Sequence, residues 1–136
     1  MAIAVVYWSG TGNTAAMAEA VAAAAGAELF EVTSIDAAKA AEYDKLALGC
    51  PAMGAEVLEE ADFEPFFTEL EGKLSGKKVA LFGSYGWGDG QWMRDWNDRC
   101  VAAGATVVAE PVIVNETPDD DGLAQCADLG KALAGC

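Results

Sequence analysis

A chain of 136 residues with 53% hydrophobic content can bury one sizeable core and is too short to divide into two, so residues 1–136 read as a single domain. Its 22 acidic and 8 basic residues leave a formal net charge of −14, which sets long-range repulsion against DNA, RNA or an anionic membrane and favours a basic protein partner. Histidine is absent, which removes Ser-His and Cys-His nucleophiles, imidazole-ligated metals and histidine general bases together, so any chemistry has to come from a bound cofactor or from carboxylates.

Short apolar runs alternate with helix-like segments along the chain, the pattern of an α/β protein with a parallel sheet covered on both faces. The first strand is expected over residues 2–8. An Ala-rich helix follows over 14–25, with Asn13 or Thr14 as its cap and Gly26 as its stop. A second strand over 28–33 leads to a helical segment near 37–42 and a third strand over 45–49. A helix over 63–70 precedes a fourth strand over 78–84. A helix over 92–103 precedes a fifth strand that begins at 106–108 and continues past Pro111 to Val114, and a helix over 122–134 closes the series. No run approaches the roughly 20 apolar residues of a membrane helix. Met1-Ala2-Ile3-Ala4 has no basic region followed by a cleavage site, so a soluble, cytoplasmic protein is expected. Cys50, Cys100, Cys126 and Cys136 form no C-x-x-C pair and match no zinc or iron–sulfur spacing; they read as reduced, mostly buried thiols.

Three strand-to-helix junctions differ from ordinary turns: residues 9–14, 50–62 and 84–91. All leave the carboxyl ends of strands, which in an open α/β sheet share one edge and form the ligand crevice where strand order reverses. Ser9-Gly10-Thr11-Gly12-Asn13-Thr14 places two glycines and four hydrogen-bonding side chains between a strand and a helix. Glycine allows a tight turn and a close approach to a ligand, and the first helical N–H groups point at the loop with the positive end of the helix dipole. Hydroxyls of Ser9, Thr11 and Thr14 and the amide of Asn13 add donors, so the loop can hold a terminal phosphate without Lys or Arg.

Alternatives stay open for this loop alone. A Walker A loop needs a Lys before its Ser/Thr, and none is present. Gly10-x-Gly12-x-x-Ala15 fits the dinucleotide fingerprint, with Glu31 near the ribose-carboxylate position, although 136 residues leave no room for the second half of such a fold. A polar turn with a capped helix is the plain reading. On the neighbouring strand ends, Cys50-Pro51-Ala52-Met53-Gly54-Ala55-Glu56 offers a polarizable thioether, and Gly83-Ser84-Tyr85-Gly86-Trp87-Gly88-Asp89-Gly90 a large aromatic face. A flat ligand could lie between Met53 and Trp87; the plain reading is a gap filler and a core anchor.

Taken together, Tyr7-Trp8-Ser9-Gly10-Thr11-Gly12-Asn13-Thr14, Leu48-Gly49-Cys50-Pro51-Ala52-Met53-Gly54, Glu64-Pro65-Phe66-Phe67, Gly76-Lys77-Lys78-Val79 and Leu81-Phe82-Gly83-Ser84-Tyr85-Gly86-Trp87-Gly88 resemble the short-chain flavodoxins of anaerobic bacteria, collinearly and nearly end to end. The resemblance implies a flavodoxin-like three-layer sandwich with a five-stranded parallel sheet of order 2-1-3-4-5. That order, with FMN at the first and third strands, is itself the established example of the switch-point rule. It implies one non-covalent FMN in a monomeric electron carrier, not an enzyme. Such a carrier would shuttle at low potential between semiquinone and hydroquinone and would substitute for ferredoxin with ferredoxin-dependent oxidoreductases that present basic docking surfaces.

By the same resemblance, Ser9, Gly10, Thr11, Gly12, Asn13 and Thr14 would bind the phosphate. Ala52, Met53, Gly54, Ala55 and Glu56 would border the ring on one side, and Ser84, Tyr85, Gly86, Trp87 and Gly88 on the other. Met53 and Trp87 would flank it, Glu56 would accept from N3–H, and the Gly54 carbonyl would accept from N5–H after the Gly54-Ala55 peptide turns over. Ala55, where relatives often carry Asp, Ser or Gly, adds a Cβ without a polar group. Glu56, Glu59, Glu60, Asp62, Glu64 and Asp89 are expected to crowd this edge and oppose an anionic ring, each by about 0.4 to 1.7 kcal/mol at ~10 Å. A flavin-dependent NAD(P)H:quinone reductase on the same fold would carry a longer chain and a dimer surface. A phosphoacceptor domain would need acidic residues where Ser9 and Cys50 stand.

Overall fold

Alternation along the central strands sorts the apolar residues to two sides of one sheet. In the computed structural model, which describes residues 3–53 and 57–136, Ala4, Val6, Leu46, Leu48, Val79 and Leu81 pack into one core cluster. Ile3, Val5, Ala47, Ala80 and Phe82 pack into a second. That is the period-two signature of strands buried on both faces. Strands β1 (Ile3–Tyr7), β2 (Glu28–Glu31), β3 (Lys45–Gly49), β4 (Lys78–Tyr85) and β5 (Thr106–Val107) form a parallel sheet of order β2-β1-β3-β4-β5, as expected.

A sixth short strand, β6 (Val112–Asn115), also pairs with β4. The fifth position in the sheet is thus filled twice. From Val79 to Phe82, β4 advances three residues, while the edge advances five, from Val107 to Val112. Pro111 sits in the excess and brings no N–H to the ladder, so the strand expected to run through it is divided.

The helices α1 (Asn13–Ala25), α2 (Ala37–Ala40), α3 (Phe63–Glu71), α4 (Gln91–Ala102) and α5 (Asp120–Gly135) cover the two faces. α1 buries Met17, Ala18, Val21 and Ala22, one stripe of its surface, and packs against α5. The approach is close: a Cβ on Gly130 would lie 2.5 Å from the Val21 carbonyl oxygen. On the other face α3 and α4 bring Phe63, Phe67 and Trp96 into edge-to-face contact, with centroids 5.4 and 5.8 Å apart.

Boundaries differ from expectation in physically readable ways. α1 starts at Asn13, and its cap is Gly12 in the left-handed region (φ 93°), not Asn13 or Thr14. β2 stops at Glu31 because residues 32–34 form a 3₁₀ turn. α2 ends at Ala40, and α4 begins one residue before Trp92. α5 starts at Asp120 because the Asp119 side chain accepts from the Gly122 N–H at 2.8 Å.

Candidate functional site

At the carboxyl ends of β1, β3 and β4 the three unusual junctions meet around a cleft of about 210 Å³. It is lined by Trp8, Gly10, Thr11, Pro51, Ala52, Met53, Ser84, Tyr85 and Gly86. Two larger grooves, of about 820 and 580 Å³, lie along the divided sheet edge around residues 109–113. The smaller cleft is the one at the topological switch point, where strand order reverses between β1 and β3.

The first wall is the start of α1. Trp8 N–H donates to the Gly49 carbonyl at 3.0 Å, and the Ser9 hydroxyl accepts from the Gly12 N–H at 3.1 Å, which curls the loop. The indole of Trp8 covers Gly10 so closely that a Cβ there would sit 3.0 Å from the ring. Among the described residues no side chain caps α1, and its first turn holds no acidic residue, whereas Asp36 and Asp119 cap α2 and α5 with carboxylates. Thr14 is 1% exposed, and its Oγ1 has no hydrogen-bond partner among the described residues. A buried hydroxyl and a helix start free of carboxylates fit an anionic oxygen cluster.

The second wall leaves β3. Cys50 N–H donates to the Phe82 carbonyl at 3.2 Å and Ala52 N–H to the Ser84 carbonyl at 3.0 Å, so the loop starts as an extension of the sheet. Gly83 permits this: a Cβ there would lie 2.2 Å from the Cys50 carbonyl oxygen, which also accepts from Trp92 Nε1 at 3.1 Å. Met53 and Val57 then exchange two hydrogen bonds of 2.9 Å, an antiparallel pair that brackets residues 54–56. The roles expected of Gly54, Ala55 and Glu56 fall on that bracketed stretch, outside the described residues. Met53 and Val57 are exposed beside the cleft.

The third wall continues β4. Ser84 is buried, and its hydroxyl donates to the Glu116 carbonyl at 2.6 Å, so it lines the cleft with its donor already used. Tyr85 packs on Trp92 at 5.6 Å between centroids. Trp87 stands 59% exposed on the glycine-rich turn, with no core role, and Gly88 next to it has φ 85°.

Of the residues singled out in the sequence, Gly10, Thr11, Ala52, Met53, Ser84, Tyr85 and Gly86 line the cleft directly. Ser9, Gly12, Asn13 and Thr14 complete the loop behind it, and Trp87 and Gly88 lie on the turn that continues from Gly86. Trp8 and Pro51 also line the cleft and had not been anticipated. The described carboxylates of the expected acidic set differ in how they are held. Glu59 is buried and accepts from the N–H groups of Ala61, Asp62 and Phe63 at 2.8, 2.8 and 2.9 Å. Burial pushes its carboxyl up, but those three donors outweigh it and hold it below the ordinary range. Glu64 forms a two-point pair with Arg99 at 2.8 and 2.9 Å, and Asp89 pairs with Arg94 at 3.0 Å. Glu60, Asp62 and Asp89 are the exposed charges of that set among the described residues.

The parallel order, the crevice at its reversal and a cradle suited to phosphate define a mononucleotide-binding α/β domain of the doubly wound class. The family profile described as Flavodoxin matches residues 5–130, and the chain belongs to the flavodoxin family. The flavodoxin of Megasphaera elsdenii is 53% identical over 97% of this chain and 98% of its own length. That of Clostridium beijerinckii is 49% identical over 96% and 97%. The solution structure of the two-electron reduced M. elsdenii flavodoxin matches with a TM-score of 0.87 at 50% identity, covering 98% of this chain and 99% of that one. The protein is accordingly an electron carrier that uses FMN, not an enzyme with a substrate of its own.

Proposed function

We propose that FMN binds with its phosphate in the loop of Ser9, Gly10, Thr11, Gly12, Asn13 and Thr14 and its ring system in the cleft between Met53 and Trp87. The observation that carries this reading is the buried Thr14 Oγ1, without a partner among the described residues, at a helix start that none of their carboxylates caps. When bound, FMN supplies the redox chemistry by accepting and releasing electrons singly. The chain's own residues bind and orient it. Backbone N–H groups of α1 and the hydroxyls around them meet the phosphate, and the sheet-like bonds of Cys50 and Ala52 fix the second wall. By the resemblance, Glu56 would accept from the ring N3–H and the Gly54 carbonyl from N5–H.

The exposed Met53, Val57 and Trp87 leave one edge of the cleft open to a partner. Glu60 and Asp62 follow Met53 and Val57 on the same loop, and a net charge of −14 steers basic proteins toward the molecule while opposing self-association. The reading is therefore a cytoplasmic, monomeric, low-potential carrier that docks on basic faces of ferredoxin-dependent oxidoreductases.

Titration of the apoprotein with FMN and with riboflavin, followed by quenching of flavin fluorescence, tests the phosphate site. Several charge-assisted bonds at about 1.5–3 kcal/mol each place FMN at least about 100-fold tighter than riboflavin. Equal affinities would remove the loop at residues 9–14 from the site.

A further inference from the structure

Asp62 stands at the cap position of α3, yet its side chain makes no capping bond. That end is satisfied instead by Glu59, three residues earlier, at the cost of burying a carboxylate. A nearer, exposed acid was available for capping alone. Position 59 also carries a second attachment through its backbone: its N–H donates to Cys50 Sγ at 3.3 Å, and its carbonyl accepts from the Glu64 N–H at 2.8 Å. Cys50 is in turn fixed to β4 through Phe82 and to α4 through Trp92. The loop over residues 51–58 is thus closed at its foot by Cys50 and Glu59, and higher up by the Met53/Val57 pair.

We propose that Glu59 is a positioning residue for the cofactor: its carboxylate ties it to the start of α3, its N–H ties it to Cys50 Sγ, and the two attachments together hold the Met53/Val57 pair beside the cleft, a role that rests on the FMN reading above. Held at this foot, the Met53/Val57 pair presents the ring with a wall of fixed position.

Amide hydrogen exchange in the apoprotein, paired with FMN titration, tests this. Glu59→Gln keeps the size of the side chain but puts an NH₂ donor among three N–H groups. The expected result is exchange at Met53 and Val57 at least about 10-fold faster, with FMN bound about 10-fold more weakly. Acceleration confined to Ala61, Asp62 and Phe63, with Met53, Val57 and the FMN affinity unmoved, would reduce Glu59 to a helix cap and overturn the proposal. Cys50→Ala supplies the complementary arm if Glu59→Gln does not fold, since it leaves the α3 cap and removes only the sulfur at the foot. Met53 and Val57 are then expected to exchange faster while residues 61–63 do not, and unchanged exchange at the pair overturns the proposal as well. Both exchange arms are read without FMN, so they stand or fall separately from the riboflavin comparison.

Discussion

A hydroxyl buried without a partner is a cost to the folded chain, and Thr14 carries one at the start of α1. Replacement by valine keeps the branched shape and removes the unsatisfied group. Thr14→Val is therefore expected to leave the thermal stability of the apoprotein unchanged or slightly raised. FMN affinity should fall by about 10- to 100-fold, the worth of one bond to a charged phosphate oxygen. Calorimetry on the apoprotein and fluorescence titration with FMN measure the two effects, and a loss of apoprotein stability would show the hydroxyl to be structural. The other residues of this site differ in how far the sequence exposes them. Glycines and hydroxyls massed at one junction are a compositional signal that needs no tertiary information. Trp8 carries no such signal, because its place over Gly10 depends on the turn that the loop takes after β1. Glu59 is similarly hidden: among neighbouring acids only the folded path of residues 59–63 shows which one collects three N–H donors.

At the scale of elements, α3 and α4 are joined by one guanidinium. Arg99 reaches Glu64 through Nη1 and Nη2, and Glu71 through Nε and Nη2 at 3.1 and 3.0 Å, while its plane lies 4.7 Å over the Phe67 ring. The Arg99 bonds are the main pull holding the Glu64 carboxyl below the ordinary range, and the two carboxylates raise Arg99 itself. A lysine keeps the charge but not the fork, so it cannot serve two carboxylates and a ring at once. The cluster is about one-third exposed, which screens the pairs. Arg99→Lys is accordingly expected to lower stability by about 1 kcal/mol, or Tm by about 3–5 °C. Circular dichroism melts check it; an unchanged Tm would mean that the ion pairs contribute nothing beyond packing. Elements of this kind were legible from apolar period and turn residues, although the single strand expected to pass Pro111 is two. Their ends were not: Gly12 caps α1 through a left-handed backbone and no side chain, Asp119 is one of three consecutive acids of which the fold selects one, and the division between β5 and β6 is settled by pairing to β4.

For the molecule as a whole, pH reads both the hydrogen-bonded carboxylates and the buried thiols. Glu59 and Glu64 titrate below their ordinary value of 4.5 in the fold. Their contribution is complete above that value and is lost as pH falls through the lower folded one, because the unfolded chain takes up the protons first. At the other limit, burial pushes the thiol of Cys100 up to about 12 and that of Cys126 up to about 11, from an ordinary 9.0, and raises Cys50 in the same direction. These groups stay neutral in the fold while the unfolded chain ionises them. Their contribution is thus intact below 9.0 and declines as pH rises from there toward the folded values. Tm is therefore expected to form a plateau between about pH 5 and 9, with an acid limb that begins below 4.5 and an alkaline limb above 9. Glu64→Gln should shallow the acid limb and leave the alkaline limb alone, while Cys126→Ala should do the reverse, since each variant removes the titrating group from only one side. Melts collected across pH 3 to 11 decide the matter: an acid limb unaffected by Glu64→Gln would assign acid unfolding to the release of other carboxylates and remove the α3–α4 fork from it.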